Sequence, residues 1–274
     1  MTRWHDDYSD LKTDSLYHKI NARMCLDHTT GFQNWRSRED KLHVHSIPGE
    51  KYAYSGEGFV YLQAVLEKIT GKGLEQLAHE IIFNPLGMKN SAYEWKPSFE
   101  KDYAISYAKD GGVYSKDKDN EPRAVSTLET TFADYNTFLT AIFKKEIISE
   151  SSYYEIFSPQ TKICSLLQVI EDDKTKNDEY KNVKLAYGLG WGYLETLYGN
   201  GFFKEGRGTG FYHYSILFPQ SGMEVLVMSN SENTGVIFPE LKNILLEINI
   251  CLGTGLKKYP IKTMPNTGNC CTSL

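Results

Sequence analysis

Residues 48–88, PGEKYAYSGEGFVYLQAVLEKITGKGLEQLAHEIIFNPLGM, constrain this 274-residue chain more than any other stretch. A Pro48-Gly49 turn leads into a short aromatic segment, Tyr52-Ala53-Tyr54, which ends in the small tripeptide Tyr54-Ser55-Gly56. Phe59, Leu62, Leu66 and Ile69 then recur three or four residues apart, which predicts a helix with one apolar face for burial. Thr70-Gly71-Lys72-Gly73 closes it, and a second amphipathic helix carries Leu74, Leu77, Ile81 and Ile82. Asn84-Pro85-Leu86-Gly87 stops the chain again.

Elsewhere the pattern is looser. Residues 1–20 are polar without a sustained period, and Asn21–His28 holds a short helical turn. The stretch 89–126 is rich in loop residues, with Tyr93, Trp95, Tyr103, Tyr107 and Tyr114 among charges. Thr130 or Thr131 caps a helix over Phe132–Lys144, with Phe132, Tyr135, Phe138 and Leu139 on its apolar face, and Ser149 caps another over 150–157. Residues 171–182 form a charged, solvated loop. From Lys184 the period changes. Leu185–Tyr193, Gly210–Pro219 and Met223–Asn230 read as strands, and a last helix, Phe238–Leu252, presents Leu241, Ile244, Leu245 and Ile248 to that sheet.

The order of elements indicates an α+β fold in a single domain, residues 1–274: helices and loops over about 20–183, sheet and last helix over about 184–252, and a tail over 253–274. A net charge of -5 gives no footprint for nucleic acid. No apolar run approaches the ~20 residues needed to span a bilayer. The N-terminus, MTRWHDDYSD, lacks the apolar core of a signal peptide, so the chain as given reads as cytoplasmic. Cys25, Cys164, Cys251, Cys270 and Cys271 are odd in number and scattered, which favours reduced thiols over a disulfide framework or a metal site. Cys271-Thr272-Ser273-Leu274 has the outline of a prenylation box, but its middle residues are not aliphatic. His43 and His45 share one face of an extended segment, and two ligands alone do not make a metal site.

The succession of turn, Tyr-x-small, long helix, Gly break, helix and Pro-Leu-Gly-Met resembles the serine β-lactamase and penicillin-binding-protein-like family, and within it the class C β-lactamase-type esterases and peptidases. His28-Thr29-Thr30-Gly31-Phe32 is similar to that family's His-Thr-Ser-Gly signature, where the histidine mostly braces a turn on the rim of the active site. Lys204-Glu205-Gly206-Arg207-Gly208-Thr209-Gly210 resembles its third motif, Lys-Thr-Gly followed by a strand. The resemblance implies an antiparallel sheet flanked by helices, a mostly helical middle region and no cofactor.

It also implies roles. Tyr54 matches the catalytic tyrosine, a base or part of a proton relay whose phenol would be made more acidic by nearby cations. Lys204 matches the cation, standing at the start of a strand, and both face one cleft. The backbone N–H of Arg207 matches an oxyanion donor, with Gly206 beside it. Gly56 stands where the family has Asn, so whatever that side chain does must be done elsewhere or is not needed. Glu205 replaces Thr, and its carboxylate argues against anionic, penicillin-type substrates. The expected ligand is a small acyl, ester or peptidyl molecule.

The nucleophile is the missing part. The family's Ser-x-x-Lys opens a buried helix, several tens of residues before the His-Thr-Ser-Gly signature. Ser9-Asp10-Leu11-Lys12, Ser98-Phe99-Glu100-Lys101 and Ser115-Lys116-Asp117-Lys118 match its spelling, but none opens an apolar helix. The expectation is a hydrolase-type chain without N-terminal strands, serine helix or nucleophile, truncated or degenerate, and prone to self-association through unburied apolar surface. The alternative is a binding or regulatory protein that keeps the cleft.

Overall fold

Ser55 opens the long central helix, α2 (Gly56–Thr70): its Oγ accepts the Gly58 N–H at 3.0 Å, and Gly71, at φ 68°, ends the helix in the left-handed conformation a glycine adopts without strain. The molecule was described as a computed structural model, covering residues 8–36, 41–118, 120–164 and 178–237. The helix expected over Phe238–Leu252 with Cys251, the tail with Cys270 and Cys271, and residues 171–177 of the charged loop lie outside the described residues.

A short helix, α1 (Ala22–Leu26), capped by Asn21, packs against α2. After α2 come α3 (Leu74–Ala78), a π-helical turn over His79–Phe83 and α4 (Asn84–Leu86), a continuous helical run ended by Gly87 at φ 69°. Ala78, Phe83 and Met88 on this run pack with Phe138 of α5 (Phe132–Phe143). Thr131 caps α5 by accepting the Asp134 N–H, and Ser149 caps α6 (Glu150–Ile156) in the same way through Ser152. A further turn of helix, α7 (Asp178–Asn182), precedes the sheet.

The sheet is antiparallel and six-stranded, in sequence order: β1 (Thr161–Lys162), β2 (Ala186–Tyr187), β3 (Gly192–Thr196), β4 (Gly199–Gly208), β5 (Phe211–Phe218) and β6 (Met223–Ser229). Strand alternation divides its side chains between two cores. Phe203, Tyr212, Tyr214, Ile216 and Phe218 fill one face with Tyr187 and Leu194, while Phe202, Leu217 and Tyr193 fill the other against Leu139 and Ile142 of α5 and Tyr153 and Phe157 beside α6. A third cluster, Leu11, Phe32 and Leu42, joins the N-terminal segment to Tyr61 of α2.

Four expectations need correction. On α2 the spacing singles out Phe59, Leu62, Leu66 and Ile69, yet Leu66 and Ile69 are 47% and 76% exposed, and the buried positions after Gly56–Gly58 are Val60 and Gln63. The reason is polar: the Gln63 amide donates to the Pro122 carbonyl at 2.8 Å and accepts the Ala124 N–H at 2.8 Å, drawing the loop onto that face. Phe132 and Ile81 are likewise exposed, not buried. The strand expected over Leu185–Tyr193 is two, β2 and β3, separated by a turn through Gly188 and Gly190. Lys204 stands within β4 and not at a strand start, opposite Ser215 of β5.

Gly192 permits the crossing of β3 and β4, because a Cβ there would lie 2.2 Å from the Phe203 ring. Gly192→Ala should therefore lower stability by about 1–3 kcal/mol in urea unfolding. Gly206→Ala, where nothing lies within 4 Å of the added Cβ, should stay within about 0.5 kcal/mol of wild type. Equal stability of the two variants would contradict the packing of Phe203 over the strand.

Candidate active site

His28 follows α1 in the left-handed region, at φ 59°, and is 1% exposed. Its carbonyl accepts the Ala53 N–H at 2.8 Å and its Nδ1 accepts the Ser55 N–H at 3.1 Å. With Nδ1 an acceptor, the neutral ring carries its proton on Nε2. Both bonds brace the segment that delivers Tyr54, so His28 is the structural brace that the resemblance implies. Its ring lies 4.3 Å from Tyr54, 4.7 Å from Tyr187, 5.1 Å from Phe59 and 5.7 Å from Tyr52, centroid to centroid.

Lys204 enters this cluster from β4. Its Nζ donates to Tyr187 Oη at 2.9 Å and stands 5.2 Å from the centre of the Phe59 ring. The ammonium acts electrostatically on both Tyr54 and His28, pressing each pKa down. Residues 54 and 204 are thus brought into one cluster, but the direct partner of the ammonium is Tyr187, which motif reasoning missed. Its only mark in the sequence is the glycine-rich stretch Tyr187-Gly188-Leu189-Gly190-Trp191.

Burial decides the protonation states. It raises the Tyr54 phenol above its ordinary value despite the opposing ammonium, with Tyr187 and Glu205 adding to the rise. Burial also raises Tyr52 and Tyr187, and the Glu205 carboxylate adds to both. The expected acidic phenol is therefore overturned: Tyr54 holds its proton because desolvation of a phenolate outweighs the pull of one cation. His28 is held neutral for the same reason, its pKa pushed well below the usual imidazole range by burial and then by Lys204.

Beyond Phe203 the strand β3 no longer pairs with β4, so Lys204–Gly208 has β5 on one side and no described strand on the other. The tight turn at Thr209-Gly210 makes Gly208 and Phe211 a hydrogen-bonded pair, so the ladder bonds fall on Gly208, Gly206 and Lys204. The N–H groups of Glu205 and Arg207 consequently point to the open edge, as an oxyanion donor must. The Arg207 guanidinium turns away to cover Tyr212 at 4.3 Å, and open space lies over Gly206. Gly56 is covered by Trp35, whose indole would meet a Cβ there at 2.6 Å.

Ser9 and Ser98 lie in short 3-10 turns and Ser115 in irregular chain, all three exposed, so none begins a buried α-helix. Ser215 faces Lys204 across the ladder but is 2% exposed. His43 and His45 are exposed neighbours, and among the described residues no cluster of three potential metal ligands occurs. Of the cysteines, Cys25 is buried and Cys164 exposed, both as free thiols. No described helix is long and apolar enough to cross a membrane.

The family model for beta-lactamase matches residues 7–248. The chain belongs to the beta-lactamase family. Among curated relatives of this beta-lactamase-family chain is teichoic acid D-alanine hydrolase of Staphylococcus aureus, 28% identical over 174 residues, 59% of this chain and 42% of the relative. Penicillin-binding protein 4* of Bacillus subtilis is 26% identical over 181 residues, 52% of this chain and 40% of the relative. The chain thus spans about two fifths of the length of both. The fold is shared with a penicillin-binding protein of Bacillus halodurans, at a TM-score of 0.64 and 17% identity over 87% of this chain and 77% of that one. It is shared also with an octameric penicillin-binding protein homologue of Pyrococcus abyssi, at 0.63 and 18% over 88% and 62%.

The buried titratable groups make stability fall on both sides of neutrality. A neutral His28 stabilises fully above the unfolded value of about 6.5 and loses that contribution as pH falls through it. The raised phenols stabilise fully below about pH 10 and lose it as pH rises. Asp27 and Glu57, raised by burial, act oppositely, but only near the carboxylate range. The melting temperature should therefore drop between about pH 6.5 and 5 in wild type and less in His28→Asn, and should drop again above about pH 10. A flat acid limb in wild type would contradict the neutral imidazole.

Proposed function

We propose that this chain carries the cleft of a β-lactamase-related serine hydrolase that handles an ester or amide through an acyl-enzyme, in one domain, with no nucleophile among the described residues. The observation that carries the reading is the convergence of Tyr54, Tyr187 and Lys204 beside the open edge of β4. In acyl transfer the attacking hydroxyl adds to the carbonyl carbon, and the oxygen that gains the electron pair needs a fixed donor; the Arg207 N–H suits that role. When the carbon–oxygen or carbon–nitrogen bond breaks, the departing atom needs a proton. Tyr54, which keeps its own at rest, is suited to give it, and the Lys204 ammonium offsets the phenolate left behind.

The carboxylate of Glu205 raises the nearby phenols and disfavours anionic ligands, so an uncharged acyl group suits the cleft better than a penicillin. The named relatives agree in kind: one is a D-alanine hydrolase and another neighbour a D-stereospecific amidohydrolase. A second reading, binding without turnover, is favoured by the exposure of Ser9, Ser98 and Ser115. Exposed Leu66, Ile69 and Ile81 also suit self-association, as in the octameric homologue.

Incubation of the purified chain with a fluorophosphonate should leave every serine unmodified by mass spectrometry, and a chromogenic short-chain ester should hydrolyse at the buffer rate. Stoichiometric labelling at Ser9, Ser98, Ser115 or Ser215 would instead identify a nucleophile in this chain and end the reading of an incomplete catalytic set.

A further inference from the structure

We propose that Trp95, Tyr103 and Glu100 form a binding site for a quaternary ammonium group, which the chain's own Lys118 fills at rest. The inference does not depend on the cleft reading above. It is carried by the way the loop after residue 94 closes on itself. Trp95 precedes a 3-10 turn over Pro97–Lys101, and that turn brings the Glu100 carboxylate back to the indole, whose Nε1–H donates to Glu100 Oε1 at 2.9 Å. The Tyr103 ring stands at 85° to the indole with centroids 5.2 Å apart, and Phe99 stands at 80° and 5.7 Å. Trp95 and Tyr103 therefore make a right-angled aromatic corner, with a carboxylate fixed beside it.

That corner already holds a cation. Lys118 Nζ is 5.1 Å from the centre of the Trp95 ring and 5.5 Å from that of Tyr103. Both distances fall inside the ~6 Å over which a ring face attracts a cation. The same ammonium donates to the two Glu100 oxygens at 2.8 and 2.7 Å. Together with the indole N–H it holds the Glu100 carboxyl below the usual carboxylate range, so the site keeps its negative charge at neutral pH. Lys116 also lies over the indole, at 5.2 Å, but is paired with Glu129.

Lysine is a poorly matched occupant. Its ammonium is compact and strongly hydrated, so it gives up water to sit against two rings. The site is also open: Tyr103 is 38% exposed, and the Lys118 and Glu100 side chains are 39% and 48% exposed. An ion pair this exposed contributes little, so Lys118 can swing into water at small cost. A trimethylammonium group spreads the same charge over an apolar surface and has no N–H to satisfy. Two ring faces and one fixed carboxylate suit it better than they suit lysine.

The test titrates the full chain with choline chloride and, at equal ionic strength, with sodium chloride. The Trp95 indole N–H is followed by NMR and assigned through Trp95→Phe. Choline should move that signal to saturation in the millimolar range, and sodium should not. Lys118→Ala removes the competing occupant and should tighten choline binding about five- to tenfold. Tyr103→Leu and Glu100→Gln, each placed in that background, should weaken it about three- to tenfold. These are surface changes that should keep the wild-type melting curve; if Lys118→Ala melts early, Lys118→Gln takes its place. Sedimentation with phosphatidylcholine vesicles, against phosphatidylglycerol vesicles, separates the sources of the group. Capture by the first assigns a lipid headgroup, and choline binding without capture assigns a soluble ligand. Equal shifts with choline and sodium, or a choline affinity that the Lys118 variants leave unchanged, overturn the proposal and leave the corner a self-contained surface contact.

Discussion

The site depends on one buried, neutral imidazole. His28 ties two chain segments together through two different atoms, its carbonyl to Ala53 and its Nδ1 to Ser55. These two bonds hold the segment at alternate residues, on either side of Tyr54. The same Ser55 caps α2, so the orientation of Tyr54 and the first turn of the longest described helix are set together. A protonated ring could no longer accept the Ser55 N–H, and the cluster of Tyr52, Tyr54, Phe59 and Tyr187 offers it no anion. Burial and the Lys204 ammonium both oppose that proton. The brace and the electrostatics of the cleft are therefore one arrangement, since the cation that serves the phenols also keeps the brace uncharged.

How much of this the sequence discloses depends on how local the cause is. The helix ends are legible: Ser55, Thr131 and Ser149 cap as their side chains dictate, and Gly71 and Gly87 adopt the left-handed turns that only glycine enters cheaply. The buried face of α2 is not, because it is chosen by Gln63 bonding to Pro122 and Ala124, about sixty residues on. A polar anchor at one position outweighs an apolar stripe when the loop it holds excludes water from its own face. The sequence starts the strand beyond Lys204-Glu205-Gly206-Arg207-Gly208 at Gly210, because the glycines of that stretch depress strand propensity. Pairing with Phe211–Ser215 supplies the ladder that propensity withholds. The resemblance pointed to Tyr54 and Lys204, yet it could not supply Tyr187 or the fit of Trp35 over Gly56. Each depends on a contact between segments whose approach no local pattern encodes.

The balance at Tyr54 shows how the aromatic cluster shapes the chemistry available. A single ammonium near a phenol lowers its pKa, and in water that would favour the phenolate. Here the cation is shared: it donates its short bond to Tyr187, lies over the face of Phe59, and acts on Tyr54 only through space. Cation–π attraction and one hydrogen bond compensate the lysine for lost water without transferring a proton from any phenol. Three tyrosines, the buried Tyr187 and the half-buried Tyr52 and Tyr54, feel one another and the Glu205 carboxylate, so ionising one raises the cost of ionising the next. Tyr54 thus keeps its proton while the Lys204 ammonium is engaged by Tyr187. At Tyr54 burial, which raises the phenol, outweighs the cation, which on its own would lower it.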